Sequence, residues 1–153
     1  MNKHRSPQPH RTLLAWNRDT VSPAAQAREH LRPCLVGLGI TEDRIEDALV
    51  MVTELVSNTR HAQGPYQLRV RRTQAEAIIE VQDRTSAVPE LVERAPSDLL
   101  AHCGAGPDAL LGRISEGGRG LQIVDSLSMG CWGFRVYPGF KISWYALALP
   151  PRF

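Results

Sequence analysis

The chain has 153 residues, 42% of them hydrophobic and 22% charged, with a formal net charge of +2. That is the size of one domain with a real core and the composition of a soluble globular protein. The positive excess is too small and too scattered for a nucleic-acid binder, no apolar run approaches the roughly 20 residues of a membrane span, and the polar, basic N-terminus predicts no signal peptide. Cys34, Cys103 and Cys131 are far apart in sequence and make no metal-binding spacing, which predicts reduced thiols and a cytoplasmic protein.

The N-terminal stretch 1–12 (MNKHRSPQPHRT) has no apolar period and predicts a disordered tail, followed by one domain over 13–150. Leu13–Trp16 reads as a short edge strand. Ser22-Pro23 opens a helix, with a capping hydroxyl followed by Pro at the first helical position. Pro33 predicts a kink or an early end to it, and Gly37 and Gly39 close it. Thr41 caps the next helix, with Glu42 and Asp43 in its first turn.

In Glu46–Ala62 (EDALVMVTELVSNTRHA), apolar or small residues at Ile45, Ala48, Leu49, Val52, Leu55, Val56 and Thr59 make one continuous helical stripe. At about 100° per residue, Glu54 and Asn58 stack nearly opposite that stripe, with Asp47, Met51 and His61 on their side. A carboxylate and an amide one turn apart make either a solvated polar face or a site, with Glu54 as a base and Asn58 as an oxygen ligand for a hard cation.

Gln63-Gly64-Pro65 is a turn. Tyr66, Leu68 and Val70 alternate with Gln67, Arg69 and Arg71, which predicts a half-buried strand. Ala77–Gln82 is its hairpin partner and delivers Asp83 at its end. The span 84–117 is long for a connection in a small domain, which predicts either a disordered segment or a functional lid. Gly118–Leu127 regains helical period, Trp132–Val136 is a strand, Pro138-Gly139 turns the chain, and Phe140–Leu149 closes it. Helices and antiparallel hairpins without strict βαβ alternation predict an α+β two-layer sandwich, a mostly antiparallel sheet covered on one face by helices. Trp132 and Trp144 read as core residues, and Lys141, on the opposite side of its strand from Trp144, as a solvated one.

Gly117-Gly118-Arg119-Gly120-Leu121 opens a helix, where glycines admit close backbone approach and successive N–H groups attract anions. It is not a Walker P-loop, because no Gly-Lys-Ser/Thr follows, and no strand leads into it as in a Rossmann turn.

Taken in order, TELVSN (Thr53–Asn58), VQDRTSAVP (Val81–Pro89), GRGLQIVDSLS (Gly118–Ser128), Trp132-Gly133 and Lys141–Trp144 resemble the motifs of the GHKL ATPase superfamily, whose fold is the Bergerat ATP-binding sandwich. The chain is most similar to the small stand-alone members, the anti-sigma-factor serine kinases and actinobacterial ATP-binding regulators, over roughly Ser22 to Leu149. The resemblance implies ATP and Mg2+ as cofactors. It implies that Asn58 ligates the magnesium, Glu54 is the catalytic base, Asp83 accepts the adenine amino group beside Thr85, and Gly118, Arg119, Gly120 and Leu121 hold the phosphates. Phosphoryl transfer needs mostly positioning and charge neutralisation, which this set supplies. The implied partner is a protein, either a sigma factor or an anti-sigma antagonist, with no direct nucleic-acid or membrane contact and with homodimerisation through the first strand and helix.

Three positions depart from the family pattern. Asn58-Thr59-Arg60-His61 is one residue short, so His61 reaches its family position only through a bulge or an early helix end. Glu116 stands where the serine kinases carry an Arg, and Thr85 stands where the family carries a Gly. Two activities therefore follow from the resemblance: a serine/threonine kinase-type phosphotransferase, or a non-catalytic module that acts by sequestering a partner.

Overall fold

A computed structural model describes residues 10–85 and 119–151 of the chain. The tail over 1–9, most of the lid expected at 84–117, Gly118 and Glu116 lie outside the described residues. The described elements run β1 (His10–Trp16), α1 (Pro23–Gly37), α2 (Glu42–Asn58), a 3-10 turn (Thr59–His61), β2 (Tyr66–Arg72), β3 (Glu76–Asp83), α3 (Arg119–Ser128), β4 (Trp132–Tyr137) and β5 (Phe140–Ala148). The five strands form one antiparallel sheet in the order β1-β2-β3-β5-β4. The fold is the expected α+β sandwich. β1 begins at His10, so three residues assigned to the tail are strand instead, paired with Val70 and its neighbours on β2.

The two faces of the sheet differ because side chains alternate along each strand. Leu68, Val70, Ala77, Ile79, Val81, Trp132, Tyr145 and Leu147 face the helices and form the main core with the buried stripes of α1 and α2. On the opposite face Ile78, Ile142, Trp144 and Ala146 make a smaller apolar cluster packed by Phe140. Beside it Glu80, only 2% exposed, is surrounded by Arg135 at 2.7 Å, Arg71 at 2.9 Å and Arg69 at 3.4 Å. A carboxylate in mid-strand is tolerated there because three guanidiniums offset its desolvation.

α1 starts at Pro23, where the missing N–H and fixed φ suit the first helical position. The helix does not take the early end open to it at Pro33 but runs on to Gly37. Pro33 and Glu29, whose carbonyl loses its i+4 partner, are both on the exposed face, so water can satisfy that carbonyl. Leu38 and Gly39, the latter at φ +77°, close the helix by donating to the carbonyls of Cys34, Leu35 and Val36.

α2 buries Ile45, Ala48, Leu49, Met51, Val52, Leu55 and Val56. Met51 was expected on the polar side, yet it is fully buried. α3 packs on that side of α2, so the face the sheet leaves free is covered by a third helix. Arg44 joins the two by donating to Asp47 at 2.9 Å and to the Leu127 carbonyl at 3.0 Å. α1 is joined to α2 by Arg32, which pairs with both Glu42 and Glu46. α3 is tied to the sheet by Trp132 Nε1, which donates to Asp125 at 2.8 Å. Trp132 and Trp144 are both buried as expected, on opposite faces of the sheet. Cys34 is a free thiol whose pKa burial pushes up, while Cys131 is disulfide-bonded, against the expectation of three reduced thiols.

The Tyr145 hydroxyl, fully buried, donates to the Ala48 carbonyl at 2.8 Å and pins α2 to β5. Burial holds its pKa well above the ordinary value. Below about pH 10 the phenol is neutral in both folded and unfolded chains; above it only the unfolded chain ionises, so this residue lowers stability as pH rises. Tyr145→Phe is expected to cost about 1 kcal/mol at neutral pH, with the gap to the parent protein narrowing above about pH 10. Urea unfolding at a series of pH values measures both, and a gap that stays constant into alkali would contradict the buried neutral phenol.

Candidate functional site

The last two turns of α2 carry Glu54 and Asn58. Glu54 is half-buried and Asn58 exposed. Among the described residues neither side chain has a hydrogen bond or ion pair, so both sets of oxygen lone pairs are open. α2 ends at Asn58 and tightens into the single 3-10 turn Thr59–His61. Of the bulge and the early helix end left open by the short Asn58–His61 spacing, the structure has the early helix end. His61 is exposed and accepts from Arg60 Nε at 3.2 Å.

Gly120, in the first turn of α3, lies directly against Glu54. A Cβ built on Gly120 would overlap the Glu54 Oε2 atom and stand 3.3 Å from its Cδ. The absence of a side chain at 120 is what lets the start of α3 approach the carboxylate. Arg119 opens α3, and Leu121, one residue on, turns its side chain into the core at 8% exposure. With that side chain buried, Leu121 offers its backbone at this helix end.

Asp83 ends β3 with its carboxylate on the helix-facing side, only 3% exposed. Its Oδ1 accepts the Thr85 backbone N–H at 3.0 Å, an Asx-type turn, and its Oδ2 pairs with Lys141 Nζ at 3.3 Å. Thr85 uses its hydroxyl to accept the Gln63 N–H at 2.9 Å, while Arg84 N–H donates to the Gln63 carbonyl at 2.8 Å. These bonds tie the end of β3 to the loop that follows α2, past the cis Gly64-Pro65 bond. Gly120 thus meets Glu54 on α2, while Asp83 and Thr85 are tied to Gln63 in the loop that follows α2.

Lys141 is the residue that sequence reasoning missed. It sits directly opposite Asp83 in the β3–β5 register, and its side chain is 16% exposed, ion-paired rather than solvated. Its side of the strand was legible from the period of β5. The pairing register that brings it to Asp83 was not.

No protein-family model matches the chain, and no curated protein sequence is significantly similar to it. Among solved structures, the fold is similar to a chain in the crystal structure of the SiaB–SiaC complex from Pseudomonas aeruginosa, with a TM-score of 0.60 over 90% of each chain at 16% identity. At that identity the likeness is one of fold.

The contact between Gly120 and Glu54 yields a double-mutant cycle. Alanine at an exposed helix position gains up to about 1 kcal/mol over glycine. Gly120→Ala is expected to forfeit that gain by displacing the Glu54 carboxylate, and to recover it in a Glu54→Ala background. A coupling of about 1 kcal/mol in urea unfolding is the expected result, and additivity of the two changes would mean the groups do not touch.

Proposed function

We propose that this chain binds ATP with magnesium in the cleft beside α2 and acts as a regulator of a partner protein. The observation that carries this reading is the close approach of Gly120 to Glu54, which sets the N–H groups at the start of a ten-residue helix beside a carboxylate without a partner among the described residues. Helix N-termini favour phosphate oxygens. The residues fit the ligand set. Asn58 offers a free amide oxygen, a suitable ligand for a hard cation. Asp83 keeps lone pairs beyond its two present bonds, and with them can accept an adenine amino group. Magnesium, when bound, supplies neutralisation of phosphate charge.

In the catalytic form of this proposal, Glu54 takes up the proton of a Ser or Thr hydroxyl on an antagonist protein, and the α3 N–H groups together with the Gly118 and Arg119 backbone orient the phosphates. The sequence resemblance makes a sigma factor or its antagonist the class of partner. The chain of similar fold from Pseudomonas aeruginosa belongs to a two-protein complex, which supports partner binding in general terms.

A second reading, sequestration without catalysis, is favoured by one observation. Lys141 and the Thr85 N–H already hold both Asp83 oxygens, and the Thr85 hydroxyl is already held by Gln63. An adenine ring has to share those groups.

Calorimetric titration tests the proposal. ATP with magnesium is expected to bind with micromolar affinity and GTP at least about tenfold more weakly. Asn58→Ala is expected to abolish the magnesium dependence with the fold intact by circular dichroism, and Asp83→Asn to weaken adenine nucleotides selectively. Absence of ATP binding at millimolar concentration would overturn the nucleotide site and leave sequestration standing. An equal loss for GTP in Asp83→Asn would remove the adenine assignment.

A further inference from the structure

A second cleft, of about 620 Å³, lies between the start of α1 and the end of α2. Arg18, from the β1–α1 loop, Arg28 from α1 and Arg60 from the 3-10 turn line it together, and no Asp or Glu is among its lining residues. None of Glu54, Asn58, Asp83, Thr85 or Gly120 lines it, although Arg28 stands on the ridge between it and a neighbouring cleft lined by Glu29, Glu46 and Glu54.

These arginines carry unneutralised charge, as Arg11, Arg72 and Arg84 do elsewhere, but among the described residues only these three line one cleft. The three on the far face of the sheet share Glu80, Arg32 holds Glu42 and Glu46, and Arg44 holds Asp47. Arg18, Arg28 and Arg60 have no ion pair among the described residues. Three like charges lining one concavity repel one another, and the walls of a cleft concentrate their field. Arg28 is half-buried and held in place by Thr53, whose Oγ1 accepts from its Nη1 at 2.9 Å. That leaves the rest of a planar, five-donor guanidinium for other acceptors.

The surrounding groups suit the same charge. Ser22 precedes α1 in the left-handed region, φ 49°, and its hydroxyl makes no capping bond, so it is available to a ligand. Ser57 adds a second hydroxyl to the lining, and Val56 with the Trp16–Tyr66 ring pair, 5.5 Å between centroids, adds an apolar wall. The volume lies in the range of small-molecule sites, which combine apolar walls with a few convergent polar groups.

We infer that the cleft formed by Arg18, Arg28 and Arg60 binds a small phosphate-bearing ligand, with a diphosphate group on the guanidiniums and an organic portion over the apolar wall. Guanidinium forks match phosphate oxygens two at a time, and three of them match the charge of a diphosphate. This inference does not depend on the proposed ATP site.

The test is titration of the full chain with pyrophosphate in the absence of magnesium, followed by calorimetry, with sulfate as the control anion. Saturable binding is expected that sulfate does not reproduce. The double variant Arg18→Ala/Arg60→Ala changes two exposed side chains, and its fold can be checked by circular dichroism. It is expected to weaken binding at least about tenfold. Arg28→Lys, which keeps charge and loses the fork, is expected to weaken it less. The inference is overturned if pyrophosphate fails to saturate by about 10 mM, if the double variant binds as the parent does, or if sulfate binds equally well.

Discussion

Helix α2 is buried on two sides at once. Its stripe from Ile45 to Val56 packs on the sheet, while Met51 is covered from the side on which α3 packs. A helix held in this way can neither rotate nor slide without exposing several apolar side chains, at about 25 cal/mol for each Å² returned to water. The Tyr145–Ala48 bond and the Arg44 bridge to Leu127 fix the remaining freedom along the axis. The directions of Glu54 and Asn58 follow from that lock.

The same constraint explains the position of glycine at 120. α3 has to come close to α2 for Leu121 and Val124 to reach the core. Its first turn then meets Glu54, where a Cβ has no room unless the carboxylate moves. The carboxylate is the end of a flexible side chain, so a Cβ at 120 asks only that Glu54 swing aside. Asp83 is held differently, by a strand end, an Asx-type turn and a lysine from the neighbouring strand. The candidate site thus joins a stiff half on the helices to a half set by sheet register.

Charge on this chain is sorted by place. Glu80 gathers three arginines on the sheet face away from the helices, and α1 is clasped to α2 through Arg32. The cleft at the other end of α1 keeps three arginines without a carboxylate. A net charge of +2 conceals this arrangement, because paired and unpaired cations count alike in a sum.

Period and punctuation in the sequence determined the element order, the α+β class, the buried stripe of α2 and the opposed placing of Glu54 and Asn58. Helical and strand periodicities are local properties and survive without tertiary information. The tertiary structure alone decided the rest. Pro33 stays inside α1 because the carbonyl it strands is on the exposed face. Met51 is buried because α3 lies over the side of α2 that a wheel leaves free. Lys141 reaches Asp83 because β3 and β5 pair in one register of several that their alternation allows. Arg18, Arg28 and Arg60 share a cleft because a loop, a helix and a 3-10 turn, far apart in the chain, meet at one corner. Each of these depends on which surfaces pack together, and that is set by the whole core rather than by any window of sequence.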